Sequence, residues 1–233
     1  MNLSLESLSF SRQGKPVLKG ISASIPGEGL TCLLGANGAG KTTLLRILSG
    51  ELKGTSGRFL VGDKDGSILS REELSTYFAV IPQSVPNPPY LTVSELVGLG
   101  RFRPKKALWW RLSDQDRRIV RSCLKSCQLD DLAERQLDQL SGGEQQRGWL
   151  AFGLAQGKPF LLLDETLDGM DVFVKRSFFQ LLKNVAAYGR GVLLTSHDLG
   201  LVEEFADKVL VLSGGKISYD GPPQANLQEA FSS

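Results

Sequence analysis

The 233-residue chain has three cysteines, one histidine and no apolar run approaching the roughly 20 residues of a membrane-spanning helix. Its run Phe160-Leu161-Leu162-Leu163 is cut by Asp164-Glu165 after four residues. Each scarcity closes off a class. An odd cysteine count does not fit the pairing of a secreted disulfide framework, and Cys123 and Cys127 have no second pair to complete a zinc site. Cys32, Cys123 and Cys127 therefore read as buried thiols in a reducing compartment. Charge of one sign is also missing: 27 Lys and Arg face 25 Asp and Glu, a formal net charge of +2. That balance leaves no electrostatic footprint for nucleic acid, so no nucleic-acid partner is expected. The opening MNLSLESLSF has no basic region followed by an apolar run, which argues against a signal peptide and for the cytosol.

What is present is an ordinary globular composition, 41% hydrophobic and 22% charged. Leu3, Leu5, Leu8 and Phe10, then Val17, Leu18, Ile21 and Ile25, broken by Gly14, Pro16, Pro26 and Gly27, predict short strands with turns. LTCLLG is a buried strand entering a glycine-rich loop, and KTTLLRILSG has helical spacing with a stop at Gly50. SGRFLV and YFAVIP read as further strands. From about Leu91 to Arg147 the pattern is helical. Strands PFLLLDE and GVLLTS then flank the helical VKRSFFQLLKNVAA, and KVLVLSGG with KISYDG forms a hairpin. Strands alternating with helices, with a helical block inserted, imply an α/β fold with a mostly parallel sheet.

One motif decides the ligand class. Residues Gly35-Ala36-Asn37-Gly38-Ala39-Gly40-Lys41-Thr42 match G-x-x-x-x-G-K-[ST], with a strand before and a helix after. Glycines let backbone N–H groups converge on phosphate oxygens, and the helix start aims its positive end at the same anion. Lys41 supplies a point charge toward the β and γ phosphates, Thr42 offers a hydroxyl to Mg²⁺, and Thr43 completes the loop's nucleotide contacts. Asp164 at the end of a buried strand is the expected magnesium ligand, and Glu165 the group that polarises the attacking water. The lone His197 closes another strand, where it reads as a γ-phosphate contact that orients the chemistry around Glu165.

Leu140-Ser141-Gly142-Gly143-Glu144-Gln145-Gln146-Arg147 resembles the signature sequence of ABC-type ATPases. The octet also reads as a helix N-cap with a polar first turn. The resemblance spans essentially the whole chain. It implies a P-loop NTPase (RecA-like) core with a mostly parallel sheet, an N-terminal antiparallel β-subdomain and an inserted α-helical subdomain. The expected division is a single domain, with 1–85 and 151–233 as catalytic core and 86–150 as the helical part.

The same resemblance assigns Gln83 as the Q-loop glutamine, serving catalysis and metal. Asp171 falls at the D-loop aspartate and His197 at the switch histidine. It implies a head-to-tail dimer in which Ser141, Gly142, Gly143 and Glu144 of one subunit close over ATP held by the other's phosphate loop. Two departures stand out: Arg12, with Phe10 nearby, occupies the place of the aromatic residue that stacks on adenine, and Thr166 replaces a common proline.

With no membrane span, transport requires separate polytopic permease subunits, which places the chain peripherally on the cytoplasmic side of the membrane. LTVSELVGLGRFRP and LSDQDRRIV resemble importers of iron-siderophores, haem and vitamin B12, which also use a periplasmic or extracellular substrate-binding protein. An exporter ATPase and a soluble ATPase of iron–sulfur cluster assembly are the alternatives. Arg101, Arg103, Lys105, Lys106 and Arg111 surround Trp109 and Trp110, which reads as a solvated loop or as a surface near lipid headgroups. Trp149 is expected in the core.

Overall fold

The computed structural model describes residues 1–83, 88–102, 112–164, 167 and 169–223. Glu165, Thr166, Arg103, Lys105, Lys106, Trp109, Trp110 and Arg111 lie outside them. The chain divides into two compact units, Met1–Val80 with Pro159–Glu165 and Leu182–Ser233, and Ile81–Lys158 with Thr166–Leu181.

The first unit opens with β1 (Leu3–Arg12) and β2 (Lys15–Ile25), antiparallel strands of 10 and 11 residues rather than the several short ones expected. The buried side chains explain the difference. Leu3 and Leu5 share one parity, but Leu8 has the other, so a straight strand would turn Leu8 outward. A register irregularity between Leu5 and Leu8, with Ser7 at φ 48°, turns Leu8 back inward without ending the strand. Gln13 (φ 50°) and Gly14 (φ 77°) form the two-residue turn, whose paired positive φ values match the twist of the flanking strands. Strand β4 (Ser56–Val61) pairs with β1, and β5 (Lys64–Asp65) completes a four-stranded sheet.

The second sheet has six strands. At its middle β3 (Gly29–Leu34) runs parallel to β8 (Gly191–Ser196) on one side and β9 (Lys208–Ser213) on the other. Beyond β8 lie β7 (Phe160–Leu163), also parallel, and then β6 (Phe78–Ile81), which follows the single-turn helix α2 (Arg71–Leu74). The antiparallel hairpin of β9 and β10 (Lys216–Gly221) closes the other edge. Central strands buried on both faces demand continuous apolar runs, and Phe160, Leu161, Leu162 and Leu163 are all at most 2% exposed. Each such side chain contributes about 1.5–3 kcal/mol on burial. Cys32 lies fully buried within β3, and its burial raises the thiol pKa far above the ordinary value.

The second unit contains α3 (Val93–Leu99), α4 (Asp114–Ser126) and α5 (Gly142–Ala155). All three begin with reciprocal caps, Thr92 with Glu95, Ser113 with Asp116, and Ser141 with Glu144. At Gly148 α5 lies against α3 with room for a methyl: a Cβ there would make ordinary contacts with Leu137 at 3.5 Å and Leu96 at 3.7 Å. Asp116 accepts from Arg101 Nε at 2.9 Å and from Ser113 Oγ at 2.7 Å, while Arg101 Nη1 donates to the Ala155 carbonyl at 2.7 Å. The Ser113 hydroxyl first, and then Arg101, hold the Asp116 carboxyl down at about 2. Cys123 and Cys127 are buried thiols. Trp149 is half-buried, edge-on to Phe152 at 5.4 Å, rather than sealed in the core. Among the described residues no helix is long and apolar enough to cross a membrane.

Candidate nucleotide site

Strand β3 ends at Leu34 and the chain reverses through Gly35–Gly40 into α1 (Lys41–Leu48). Only glycine fits at position 35, because a Cβ would sit 2.5 Å from the Leu212 carbonyl oxygen. Gly40 (φ 111°) is in the left-handed region, and its Cβ would meet Leu18 at 2.8 Å. Gly40 also caps α1, so no side chain satisfies the first amides and no acidic residue sits in the first turn. That leaves the positive end of the helix available to an anion. Lys41, 3% exposed, folds back so that its ammonium donates to the Gly35 carbonyl at 2.7 Å and the Ala36 carbonyl at 3.3 Å.

A cleft of about 330 Å³ opens here. The β1–β2 hairpin contributes Arg12 and Val17, the loop contributes Asn37, Gly38 and Gly40, and α1 contributes Lys41, Thr42 and Thr43. The hairpin thus brings Arg12 to the cleft, whereas Phe10 packs against the core. Of the two side chains considered for the base, only Arg12 lines it.

Because β3, β8 and β7 are parallel neighbours, their C-terminal ends share one edge of the sheet. The phosphate loop follows β3, Asp164 follows β7, and His197 follows β8, exposed. Asp164 is 7% exposed and accepts from Thr195 Oγ1 at 2.8 Å. No reading of the sequence alone singled out Thr195; the signal was a buried hydroxyl amid aliphatics, meaningful only once strand register is known. Beyond His197, Asp198 caps α7 (Leu199–Phe205) through the Leu201 amide.

In the second unit Gln83 lies exposed just past β6. Ser141 caps α5, its hydroxyl donating to Glu144 Oε2 at 2.7 Å and its amide to the same oxygen at 2.8 Å. Those bonds, the hydroxyl's first, hold the Glu144 carboxyl below its usual range. The Glu144 amide is taken by Ser141 Oγ, which leaves the Gly142 and Gly143 amides at the helix start without an intrahelical acceptor. Asp171 caps α6 (Val172–Ala186), Oδ1 accepting from the amides of Phe173 and Val174 at 3.0 Å each. The two helix starts adjoin, since a Cβ on Gly143 would meet Val174 Cγ1 at 2.8 Å. The octet thus contains a capped helix start with Gly142 exposed and Gly143 half-buried.

A hard cation suits the first unit's donors. One buried carboxylate, Asp164, and one hydroxyl, Thr42, are what Mg²⁺ uses when phosphate oxygens and water fill the rest of its shell.

A glycine-rich phosphate loop at the C-terminal edge of a parallel sheet defines a P-loop nucleotide-binding protein. Residues 18–168 match the ABC transporter family. The chain is 34% identical to the iron(3+)-hydroxamate import ATP-binding protein FhuC of Bacillus subtilis, over 94% of this chain and 82% of that protein. It is 36% identical to the hemin import ATP-binding protein HmuV of Bordetella pertussis, over 96% and 87%. A solved dimeric ATP-binding cassette in a post-hydrolysis state, bound to ADP and Pi, superposes with a TM-score of 0.79 at 25% identity, covering 96% of this chain and 99% of that one. The chain belongs to the ABC transporter family. It is a nucleotide-binding cassette ATPase, with the P-loop α/β fold and additional antiparallel sheet that the sequence led us to expect.

Proposed function

We propose that the chain hydrolyses ATP to ADP and phosphate as one of a head-to-tail pair and drives uptake of a metal chelate through separate permease subunits. The observation that carries this reading is that one chain holds two different helix starts whose first amides suit an anion. The start of α1, capped by no side chain, carries Lys41, and the start of α5 presents the Gly142 and Gly143 amides. The dimeric relative bound to ADP and Pi supports the pairing, and the hydroxamate and hemin import relatives support the cargo class.

In this reading Gly35 to Gly40 wrap the phosphates, Lys41 turns its ammonium from the loop carbonyls to the β and γ phosphates, and Thr43 adds a contact beside Thr42. Arg12 stacks on the base. Thr42 and Asp164, the latter through water, would hold Mg²⁺, which would neutralise charge on the phosphates, and Gln83 would serve catalysis and metal as the Q-loop glutamine. Glu165 orients and deprotonates the attacking water, and His197 steadies the γ-phosphate. Ser141, Gly142 and Gly143 complete the partner's site, and the ordered cap made by Glu144 presents them. Asp171 keeps α6 in register beside them. The helical part, 86–150, moves with the permease, which places the protein peripherally on the cytoplasmic face. A substrate-binding protein delivers the chelate from outside.

Gel filtration tests the pairing. Glu165→Gln should bind ATP and elute as a dimer, reverting to monomer when ATP is removed. A Glu165→Gln chain that is loaded with ATP and stays monomeric would contradict it. For the cargo, a strain lacking the chain should lose uptake of ferric hydroxamates or haem; undiminished uptake of both would refute that class.

A further inference from the structure

Strand β8 reads Gly191-Val192-Leu193-Leu194-Thr195-Ser196, and its first five residues are buried. Thr195, at 1% exposure, puts a hydroxyl where the rest of the strand puts hydrocarbon. Valine has the same shape there without the cost of desolvating an oxygen, so packing alone does not call for threonine. The register supplies a reason. Leu163 of β7 pairs with Leu194 of β8, so the next residues along, Asp164 and Thr195, emerge side by side. The Thr195 hydroxyl donates to Asp164 Oδ1 at 2.8 Å, and both residues are buried. A β-branched side chain in a packed strand has little χ1 freedom, so the donor is fixed before any ligand arrives. With Oδ1 engaged, the Asp164 carboxylate is held by a side chain of the neighbouring strand.

We propose that Thr195 is a positioning residue: by pinning Asp164 it sets the affinity of the nucleotide site for its divalent cation. This rests on the reading of Asp164 as a magnesium ligand. A group that orients a metal-ligating carboxylate typically alters metal affinity by about 10–100-fold when removed. The effect falls on the metal and not on the nucleotide, because the phosphate loop and Arg12 lie on other elements. A hydroxyl that merely satisfied a buried carboxylate would change stability and leave the magnesium dependence alone.

The experiment uses the full chain and a fluorescent ATP analogue, first in EDTA and then during titration with MgCl₂. Thr195→Val should raise the half-saturating Mg²⁺ about tenfold while analogue binding in EDTA stays at the wild-type value. Thr195→Ser, which restores the donor, should return to within about twofold of wild type. Thr195→Ala runs in parallel, so that a folded variant without the hydroxyl is in hand if the valine chain does not fold. Asp164→Asn separates the two readings. If Asp164→Asn abolishes the Mg²⁺ response while Thr195→Val and Thr195→Ala match wild type, the proposal for Thr195 is overturned and Asp164 keeps its role. If Asp164→Asn itself titrates like wild type, the assignment of Asp164 fails and the proposal falls with it.

Discussion

Two adjacent glycines at the start of α5 have different surroundings, and substitution by alanine should separate fold from function. At Gly143 a Cβ would lie 2.8 Å from Val174 Cγ1, closer than real methyl contacts allow. Valine within a helix has essentially one rotamer, so relief must come from shifting one helix start against the other. Overpacking of this kind costs about 1–3 kcal/mol, against up to about 1 kcal/mol gained by replacing a helical glycine with alanine. The net loss should be about 0–3 kcal/mol, lowering Tm by up to about 12 °C for a chain of this size. At Gly142 a Cβ has nothing within 4 Å, so the fold should be unchanged or slightly more stable. Both methyls would nevertheless stand beside the amides assigned to the partner's phosphate. Calorimetry without nucleotide and sedimentation with ATP, in the Glu165→Gln background, read the two effects apart. Gly142→Ala should keep its Tm and lose ATP-driven pairing, whereas Gly143→Ala should lose some of both. If Gly142→Ala pairs at the wild-type ATP concentration, the phosphate does not approach these amides. If Gly143→Ala melts above the wild-type temperature, the contact with Val174 does not constrain the helix start.

Lys41→Ala should weaken ATP binding at least about tenfold, the loss of charge-assisted hydrogen bonds worth about 1.5–3 kcal/mol, as read by equilibrium dialysis. Arg12→Ala should weaken it about two- to fivefold, an exposed cation–π contact being worth roughly 0.5–1 kcal/mol, with inorganic triphosphate competing equally well against both proteins. Acid stability should follow Asp116. Its carboxyl is held at about 2 in the fold, below its ordinary 3.8, so the stabilisation is complete above the ordinary value and drains away as pH falls toward 2. Urea midpoints should therefore drop between pH 4 and pH 2, and Arg101→Met should flatten that drop while lowering stability at pH 7 by about 1–3 kcal/mol.

The architecture was legible where local chemistry has one solution. A G-x-x-x-x-G-K-T run between an apolar strand and a helix favours a phosphate loop over a plain glycine-rich turn, and Gly35, packed on the Leu212 carbonyl, shows why the glycine is required. S-x-x-E at 141–144 announced a cap, which the structure contains. Other features depend on partners distant in the chain. The length of β1 was hidden because Leu5 and Leu8 break parity, and only the irregularity at Ser7 reconciles them. Asp171 drew notice through its family resemblance, while its bonds to the Phe173 and Val174 amides belong to ordinary capping. Thr195 stayed invisible because its meaning lies in the pairing of β7 with β8, and a hydroxyl beside Ser196 and His197 looks like any strand end.

The central claim, that a complete site is made by two chains, is tested most directly by mixing two defective ones. Lys41→Ala spoils the phosphate loop and Ser141→Arg spoils the signature edge, so each protein alone should be inactive. Mixed in equal amounts, half the pairs are hybrids, and each hybrid holds one intact site built from the sound loop of one chain and the sound edge of the other. ATP hydrolysis should return to about a quarter of the wild-type rate. A mixture as inactive as its components would contradict the account, since a site contained within a single chain gains nothing from a partner.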